Sequence, residues 1–591
     1  MVDPLTWVLT GIGAYWIAVL WLERSGRLPD FIGTQGPILT VHTQRGRVFL
    51  NRLARSHPRF LRAWGNFGVG IALVVMVGSF LFLLLAAFAT FQNPTPSAVN
   101  EPRNVLVIPG VNEFLPLAAT PEILLGLLIG LVVHEGGHGL FCRVGDIDIE
   151  SMGVALFAIL PIGAFVEPDD ESRRAADRGD QTRMFAAGVT NNFAVTLIAF
   201  ALLFGPVAGS ISVAPGAPVG AVLPGSAAAD AGIEQGDRIV SVGGTPVAND
   251  SALEARLATL EDRTVPVTLG DGREVSVTRS LLVTGITQSS PFAGPIDVGT
   301  TITAVNGTPI HTASGLRAAV ADRPVATLET ESGDTVTGPV GAYVRIRAGG
   351  PANASGLPGG QQVVITAVDG ERVVDAATLG TVLDDTAPNQ TVSVTYAIDG
   401  ERRTGPVQLG THPTEDKGFL GVDVSPGVSG MTVSDFGTRP YPAELFLGIL
   451  GGDGGAGPGS TFFARLFLVL QLPLASVGGL AGLDYNFAGF IGHITSFYVV
   501  DGPLGFLGGG VFLLANILFW TGWINLNLGF FNCIPAYPLD GGHILRTSAE
   551  AIVSRLPVTR RRDLTRAITT SVGLVMLAAL LLTIFGPRLL T

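Results

Sequence analysis

The chain has 591 residues, of which 47% are hydrophobic and only 14% charged, and its mean hydropathy is +0.46. Soluble domains carry roughly a quarter charged residues, so this composition predicts an integral membrane protein. The net charge of −12 argues against a nucleic-acid-binding surface, because phosphates are met by clustered Lys and Arg. The two cysteines, Cys142 and Cys533, are too few and too far apart for a disulfide framework.

Six apolar stretches approach the length of about 20 residues with which a helix crosses a bilayer. They are 5–22, 64–91, 121–142, 184–206, 505–531 and 567–586. The loop 24–62 carries eight arginines against Asp30 alone, so the positive-inside bias places it in the cytoplasm and the N-terminus outside. The same bias places 546–566 in the cytoplasm, so 442–500 must cross an even number of times, zero included.

The third stretch contains polar residues where a membrane helix is normally apolar. His134 and His138 are four residues apart and share a helix face, while Glu135 points to the neighbouring side. This pattern is typical of two zinc ligands with an adjacent general base. Histidines that only pair with neighbouring helices are the structural alternative. Three polar side chains within one turn cost several kcal/mol at membrane depth unless they face a polar site, so a functional role is favoured.

The polar middle of the chain contains one unit three times. Each copy predicts a strand, a glycine turn, a short strand and a helix, and the turn residues Gly244, Gly307 and Gly370 are 63 positions apart. The stretches 225–237 and 349–360 resemble the PDZ-domain segment in which a Gly-rich loop opens a helix, whereas the middle copy is degenerate. PDZ domains bind extended peptides as an added strand. The repeats therefore either bind peptide tails or only pack and block access.

The fifth apolar stretch ends in NCIPAYPLDGGHIL, residues 532–545. Two prolines and two glycines break the helix around Asp540, and an ionisable residue at membrane depth needs a partner. A catalytic zinc ion takes three protein ligands and a water. Asp540 is therefore a candidate for the third ligand, and His543, three residues later, is an alternative.

HEGGH at 134–138 and NCIPAYPLDG at 532–541 together resemble the site-2 proteases, intramembrane zinc metalloproteases with the motifs HExxH and NxxPxxxLDG. The stretches 108–116, 163–170 and 183–193 bring the resemblance closest to the subgroup with the membrane-bound transcription factor protease. The resemblance implies Zn²⁺ on His134, His138 and Asp540. Glu135 would take a proton from water and pass it to the leaving amine.

The resemblance also implies roles for two asparagines and one hairpin. Asn532, which opens the NxxP motif, and Asn192, in AGVTNN, would hold the substrate strand or stabilise the oxyanion. Helix packing is the alternative for both. The apolar stretch 152–167 would form a membrane-dipping hairpin with an edge for an unwound substrate, or else a proline-kinked helix.

The predicted fold is a polytopic α-helical membrane protein, with about six transmembrane helices and an inserted α+β, β-rich PDZ-like repeat region. An N-terminal two-span region with the Arg-rich loop comes first, and the protease core is split into two parts by three PDZ-like repeats and a Gly-rich apolar connector. In that order the predicted boundaries are 1–103, 104–207 for the first core part, 208–288, 289–341 (degenerate) and 342–425 for the repeats, 426–504 for the connector, and 505–591 for the second core part with the C-terminal span.

These features predict an intramembrane zinc metalloendopeptidase that cleaves in or near the transmembrane segment of a single-span protein, as in regulated intramembrane proteolysis. The expected partners are the bilayer, these substrates and peptide tails at the repeats, with no nucleic acid. An inactive PDZ-bearing scaffold is disfavoured, because zinc binding alone does not require Glu135. A membrane metal transporter is disfavoured because the spans show no inverted repeat.

The expected location is the cell membrane, with multiple crossings. The N-terminus and the repeats would lie outside, and the zinc site near the cytoplasmic side. Lys417 is the only lysine in this acidic chain, which predicts an archaeal or high-GC bacterial host.

Overall fold

The computed structural model describes residues 4–29, 31–94, 109–110, 112, 114–157, 160–412, 415–452, 461–477 and 484–590. The chain forms two compact units. The membrane unit comprises 1–212, 444–495 and 500–591, and the repeat unit comprises 213–443 and 496–499. Part of the stretch 108–116 and of the predicted connector lies outside the described residues, namely 108, 111, 113, 453–460 and 478–483.

The described helices range in length from 4 to 35 residues. They are α1 (Pro4–Arg24), α2 (Gln44–Ser56), α3 (Pro58–Gln92), α4 (Thr120–Val144), α5 (Asp170–Ala175), α6 (Arg178–Leu202), α7 (Ala227–Asp230), α8 (Asp250–Thr259), α9 (Ala313–Val320), α10 (Pro351–Ala354), α11 (Ala376–Asp384), α12 (Ala443–Leu450), α13 (Phe462–Gln471), α14 (Gly510–Asn532), α15 (Asp540–Val553) and α16 (Arg561–Leu589).

The described strands concentrate between residues 211 and 440. They are β1 (Ile32–Gln35), β2 (Ile38–His42), β3 (Ile149–Phe157), β4 (Leu160–Pro168), β5 (Ile211–Val213), β6 (Ala217–Val222), β7 (Arg238–Val242), β8 (Thr245–Pro246), β9 (Thr264–Leu269), β10 (Glu274–Thr278), β11 (Leu281–Ile286), β12 (Thr301–Val305), β13 (Thr308–Pro309), β14 (Val325–Thr330), β15 (Thr335–Pro339), β16 (Ala342–Ile346), β17 (Gln362–Val368), β18 (Glu371–Arg372), β19 (Thr391–Ile398), β20 (Glu401–Gln408), β21 (Gly410–Thr411), β22 (Gly418–Phe419), β23 (Val422–Val424), β24 (Met431–Ser434), β25 (Thr438–Pro440) and β26 (Tyr498–Val500).

Five helical stretches among the described residues are long and apolar enough to cross a membrane. They coincide with the second to sixth predicted spans, and the predicted first span coincides with α1. In the described part of 442–500 the apolar helical stretch Phe462–Leu474 is shorter than a span, and the number of crossings in this region stays a prediction. The chain is therefore a multi-pass membrane protein, and the number of crossings, including whether α1 is one of them, stays a prediction.

Helices α4, α6 and α14 pack against one another and form the centre of the membrane unit. Glycines let their backbones approach closely. A Cβ atom at Gly126 would lie 3.0 Å from the backbone of Trp520, and one at Gly137 would lie 3.0 Å from the backbone of Ala187. Small residues at helix crossings are how membrane helices gain van der Waals contact, since lipid gives them no hydrophobic drive to associate.

The membrane unit also contains a four-stranded antiparallel sheet in the order β1-β2-β3-β4. Strands β3 and β4 form a hairpin, with Met152 opposite Val166, so the proline-kinked helix alternative is wrong. Strands β1 and β2 come from the Arg-rich loop, for which the sequence predicted no strands. This pairing joins residues more than a hundred positions apart, which local patterns do not encode.

The repeat unit contains three sheets with the same strand order. The orders are β10-β9-β7-β6-β25, β15-β14-β12-β11-β24 and β20-β19-β17-β16-β23, each with one further short strand. Each sheet has its own buried core. The helices α8, α9 and α11 begin at Asn249, Thr312 and Asp375, whose side chains each accept a backbone N–H three residues on. These caps are 63 residues apart, the same period as the turn glycines.

The last strand of each sheet comes from one returning segment, residues 422–440. Strand β23 completes the third sheet, β24 the second and β25 the first, so each repeat is inserted within the one before it. The boundary predicted at 425 therefore differs from the structure, in which β24 and β25 of the predicted connector belong to the repeat unit. The sequence missed this because strands of three to four residues carry almost no period of their own.

Candidate active site

Helix α4 places two imidazoles on one face. The ring centroids of His134 and His138 are 4.7 Å apart and their planes are perpendicular, and both side chains are buried. The Nδ1 of His138 donates to the carbonyl oxygen of Met184 at 2.8 Å. This bond fixes the tautomer in which Nε2 carries a free lone pair.

Asp540 begins α15 and brings the third donor to the histidines. Its Oδ2 lies 3.1 Å from Nε2 of His134 and 3.3 Å from Nε2 of His138. The turn before it depends on the glycine that follows, because a Cβ atom at Gly541 would lie 2.3 Å from the carbonyl oxygen of Cys533. Only glycine lets α15 start so close to the segment that ends α14.

The three donors fit zinc. One atom from each of His134, His138 and Asp540 lies within 4.8 Å of the others, and all three residues are buried. Two imidazole nitrogens and a carboxylate oxygen are common zinc donors, and three protein ligands leave the fourth tetrahedral position for water or substrate. Both imidazoles lie close to the same carboxylate, that of Asp540. A cation bound by all three groups would explain this geometry.

Helix α6 passes directly behind the histidines at Gly188. A Cβ atom there would lie 2.7 Å from Nε2 of His138 and 2.9 Å from Cε1 of His134. Any larger residue would push the rings away from Asp540. Gly188 is therefore part of the site, although sequence reasoning singled out only Asn192 in this motif.

Glu135 points away from the histidine face towards the sheet. Its Oε2 accepts the backbone N–H of Val166 at 3.0 Å, and the residue is half-buried. Strand β4 is the outer strand of its sheet, so Val166 offers this N–H on the side away from β3. The carboxylate of Glu135 is thereby held at the edge of β4 that pairs with no other strand among the described residues.

The remaining predicted residues differ in their surroundings. Asn192 lies one helical turn beyond Gly188 and is fully buried, and neither of its amide atoms has a hydrogen-bond partner among the described residues. Asn532 is half-buried and its Nδ2 donates to the carbonyl oxygen of Leu528 in its own helix. His543 stacks on Phe185 with centroids 4.3 Å apart, outside the group of three donors.

Two polar residues of α14 went unnoticed in the sequence. Asn525 is 0% exposed and Thr521 is 6% exposed, in the stretch predicted as the fifth span. The signal was available, because a buried amide in a membrane helix requires a partner just as an ionisable residue does.

Two histidines, an adjacent glutamate and the carboxylate of an aspartate, gathered among helices of membrane-spanning length, are the residues expected of a metallopeptidase site within a membrane. Residues 122–580 match Peptidase family M50. The chain belongs to this family, to which the site-2 proteases also belong, and is a zinc metalloprotease.

Three relatives illustrate the match. A "Putative zinc metalloprotease" of Neisseria meningitidis is 22% identical over 465 residues, which cover 72% of this chain and 89% of that protein. A membrane-bound transcription factor site-2 protease homolog of Arabidopsis thaliana is 29% identical over 26% of this chain and 29% of its own. The zinc metalloprotease RasP of Shouchella clausii is 27% identical over 36% and 43%. The chain thus spans less than half the length of the last two.

Proposed function

We propose that this chain is an intramembrane zinc endopeptidase that hydrolyses a peptide bond in or near the transmembrane segment of a single-span membrane protein. The observation that carries the proposal is the convergence of His134, His138 and Asp540, with Glu135 beside them, inside a bundle of spanning-length helices. Four such side chains are expensive to keep at membrane depth. A peptide bond that itself lies in the membrane is the substrate that justifies this position.

The residues divide the chemistry between them. His134, His138 and Asp540 would hold zinc, which when bound supplies Lewis-acid assistance to the attack of water on a peptide carbonyl. The carboxylate of Glu135 would take the proton from the attacking water and deliver it to the leaving amine. The bond from Val166 to Oε2 orients this carboxylate and leaves Oε1 for proton transfer.

The outer edge of β4 supports a mode of substrate binding. Because Val166 directs its N–H away from β3, Ala164, two residues earlier in the same ladder, directs its own backbone groups to that edge as well. An unwound substrate added as a strand there would run past Glu135. Hydrolysis needs this extended form, since a helical substrate keeps its peptide groups in internal hydrogen bonds.

The two asparagines would assist this substrate. The amide of Asn192 is buried near the histidines and has no partner among the described residues, which suits a donor for a substrate carbonyl or for the oxyanion. Asn532 would have to give up its bond to Leu528 to act in the same way. We therefore rank Asn192 ahead of Asn532.

The side of the membrane on which the cleaved fragment is released depends on the orientation of the chain in the bilayer. The Arg-rich loop 24–62 supports a cytoplasmic position for the adjacent end of α4, and thus release of a cytoplasmic fragment, as in regulated intramembrane proteolysis. The repeats would then lie outside, where the sheet edges of β23, β24 and β25 suit PDZ-like capture, or exclusion, of peptide tails. The acidic chain with its single lysine supports an archaeal or high-GC bacterial host.

The proposal is tested with purified protein in detergent and a panel of single-span substrates. Glu135→Gln should retain zinc and lose cleavage by at least about a hundredfold, because proton transfer is removed while all three ligands remain. Asp540→Ala should lose zinc, whereas His543→Ala should keep it. Unchanged cleavage by Glu135→Gln would rule out the mechanism, and loss of zinc only from His543→Ala would reassign the third ligand.

A further inference from the structure

The two ligand histidines differ in their second ring nitrogen. His138 donates Nδ1–H to Met184, but Nδ1 of His134 is buried and has no hydrogen-bond partner among the described residues. Ligand histidines almost always donate this second N–H to a carboxylate, carbonyl or water, which fixes both tautomer and ring orientation. His134 therefore requires an acceptor that sequence motifs do not name.

Asn525 carries an acceptor in the same condition. It is fully buried, its Nδ2 donates to the carbonyl oxygen of Thr521 at 2.8 Å, and its Oδ1 has no partner among the described residues. A Cβ atom at Gly130 would lie 3.4 Å from Nδ2 and 3.5 Å from Oδ1 of this amide. The amide of Asn525 thus packs directly on the α4 backbone at Gly130.

Gly130 lies one helical turn before His134 on the same face of α4. Side chains of a helix lean towards its N-terminus, so the ring of His134 covers the turn that contains Gly130. The unpaired Nδ1 of His134 and the unpaired Oδ1 of Asn525 therefore both lie against the turn of α4 that contains Gly130. Thr521, whose Oγ1 is also buried without a partner among the described residues, lies one turn before Asn525 in α14.

We propose that Asn525 is the positioning residue of His134, acting through one buried water that accepts from Nδ1 of His134 and donates to Oδ1 of Asn525. Thr521 Oγ1 gives this water a third neighbour, which meets the two to four polar partners that a buried water needs. The arrangement keeps the Nε2 lone pair of His134 directed at Asp540. This inference rests on the proposed zinc site.

Asn527 provides the matched comparison in the same helix. Its Nδ2 also donates to a carbonyl four residues earlier, that of Trp523, but the residue is only half-buried. If Asn525 served merely to satisfy the helix, the two asparagines would be equivalent. The unpaired, fully buried Oδ1 beside Gly130 separates them.

The experiment measures zinc affinity of the full chain in detergent by chelator competition, together with the thermal unfolding of the zinc-free protein. Asn525→Leu keeps the side-chain size and removes the acceptor, so we expect zinc affinity to fall about 10- to 100-fold. Asn525→Asp keeps an acceptor and should restore affinity to within about threefold of the wild type. Asn527→Leu should bind zinc as the wild type does.

Each other outcome overturns the inference. Unchanged affinity in Asn525→Leu would remove the positioning role, and equal losses in Asn525→Leu and Asn527→Leu would reduce it to helix packing. Failure of Asn525→Asp to recover affinity would show that the acceptor is not what matters. A wild type that binds no zinc would instead refute the proposed function itself, so the two failures are distinguishable.

Discussion

Gly188 in the membrane unit and Gly370 in the repeat unit are required for different physical reasons. In the membrane unit, a Cβ atom at Gly188 would strike both histidine rings, and the residue sits in an ordinary helix. In the repeat unit, Gly370 has nothing within 4 Å of a Cβ position but a φ of +84°. Gly188 sets the distance between two helices, and Gly370 sets the direction of a turn. A substitution at Gly188 is therefore limited by side-chain size, and one at Gly370 is limited by backbone conformation.

Buried polar groups show a second contrast. Arg279 of the repeat unit is fully buried, donates to the carbonyl oxygens of Leu257 and Leu260, and forms an ion pair with Asp435. In the membrane unit, Asn192 and Oδ1 of Asn525 have no partner among the described residues. The buried guanidinium of Arg279 is thus paired with a carboxylate, whereas these two amides near the proposed zinc site keep polar atoms available for water or substrate.

The largest expected effect comes from the size of the residue at position 188. Gly188→Ala should lower zinc affinity by more than about a hundredfold, since its methyl group displaces the ligand rings. Gly136→Ala is the control, because a Cβ atom there meets nothing within 4 Å. Chelator competition measures both variants. If Gly188→Ala and Gly136→Ala bound zinc with equal affinity, the close approach of α6 to the histidines would not be needed for zinc binding.

Breaking the buried ion pair of the repeat unit comes next. Arg279→Met leaves Asp435 buried without its cation and should reduce the free energy of unfolding by about 3 kcal/mol. Denaturant unfolding, in which limited proteolysis monitors the repeat unit, gives this free energy. Arg263→Met, at an exposed position in the same repeat, should be neutral. If the two variants unfold alike, the ion pair is not part of what holds the repeats together.

Removing the backbone donor to Glu135 should have an intermediate effect. Val166→Pro deletes the N–H that orients this carboxylate, at an edge strand where proline is tolerated, and should lower kcat about tenfold. Ala164→Pro should instead raise KM, because it removes a donor to a paired substrate. Steady-state cleavage assays separate the two, and a common effect on kcat alone would contradict substrate pairing along β4.

The smallest expected effect tests the turn glycines. Gly370→Ala should destabilise the third repeat by about 1 kcal/mol, because alanine is strained at a φ of +84°. Gly380→Ala, in the middle of α11 with open space around it, should stabilise by about 0.5 to 1 kcal/mol. The shift in denaturation midpoint gives both signs. Two shifts of the same sign would show that the positive φ of Gly370 does not set it apart from a glycine in an open helix.

How much the sequence could predict depended on how far apart the interacting residues lie. HEGGH fixes a shared helix face within one turn, so His134 and His138 could be assigned together from spacing alone. The broken helix made Asp540 a candidate ligand, and the family motif placed it ahead of His543. The 63-residue period followed from the three repeats. The polar atoms around Asn525 belong to no motif, because the helix they face is about four hundred residues away in the chain.

By itself the sequence determined the membrane class, the repeat, the pair of motifs and the family resemblance, since each depends on composition or on residues within one or two turns. Only the tertiary structure showed that 422–440 completes three sheets in reverse order, that β1 and β2 join the hairpin, and that Val166 holds Glu135. These features are pairings of backbone groups between distant segments. Backbone N–H and C=O groups are the same in every residue except proline, so side-chain patterns cannot specify which distant strand they will meet.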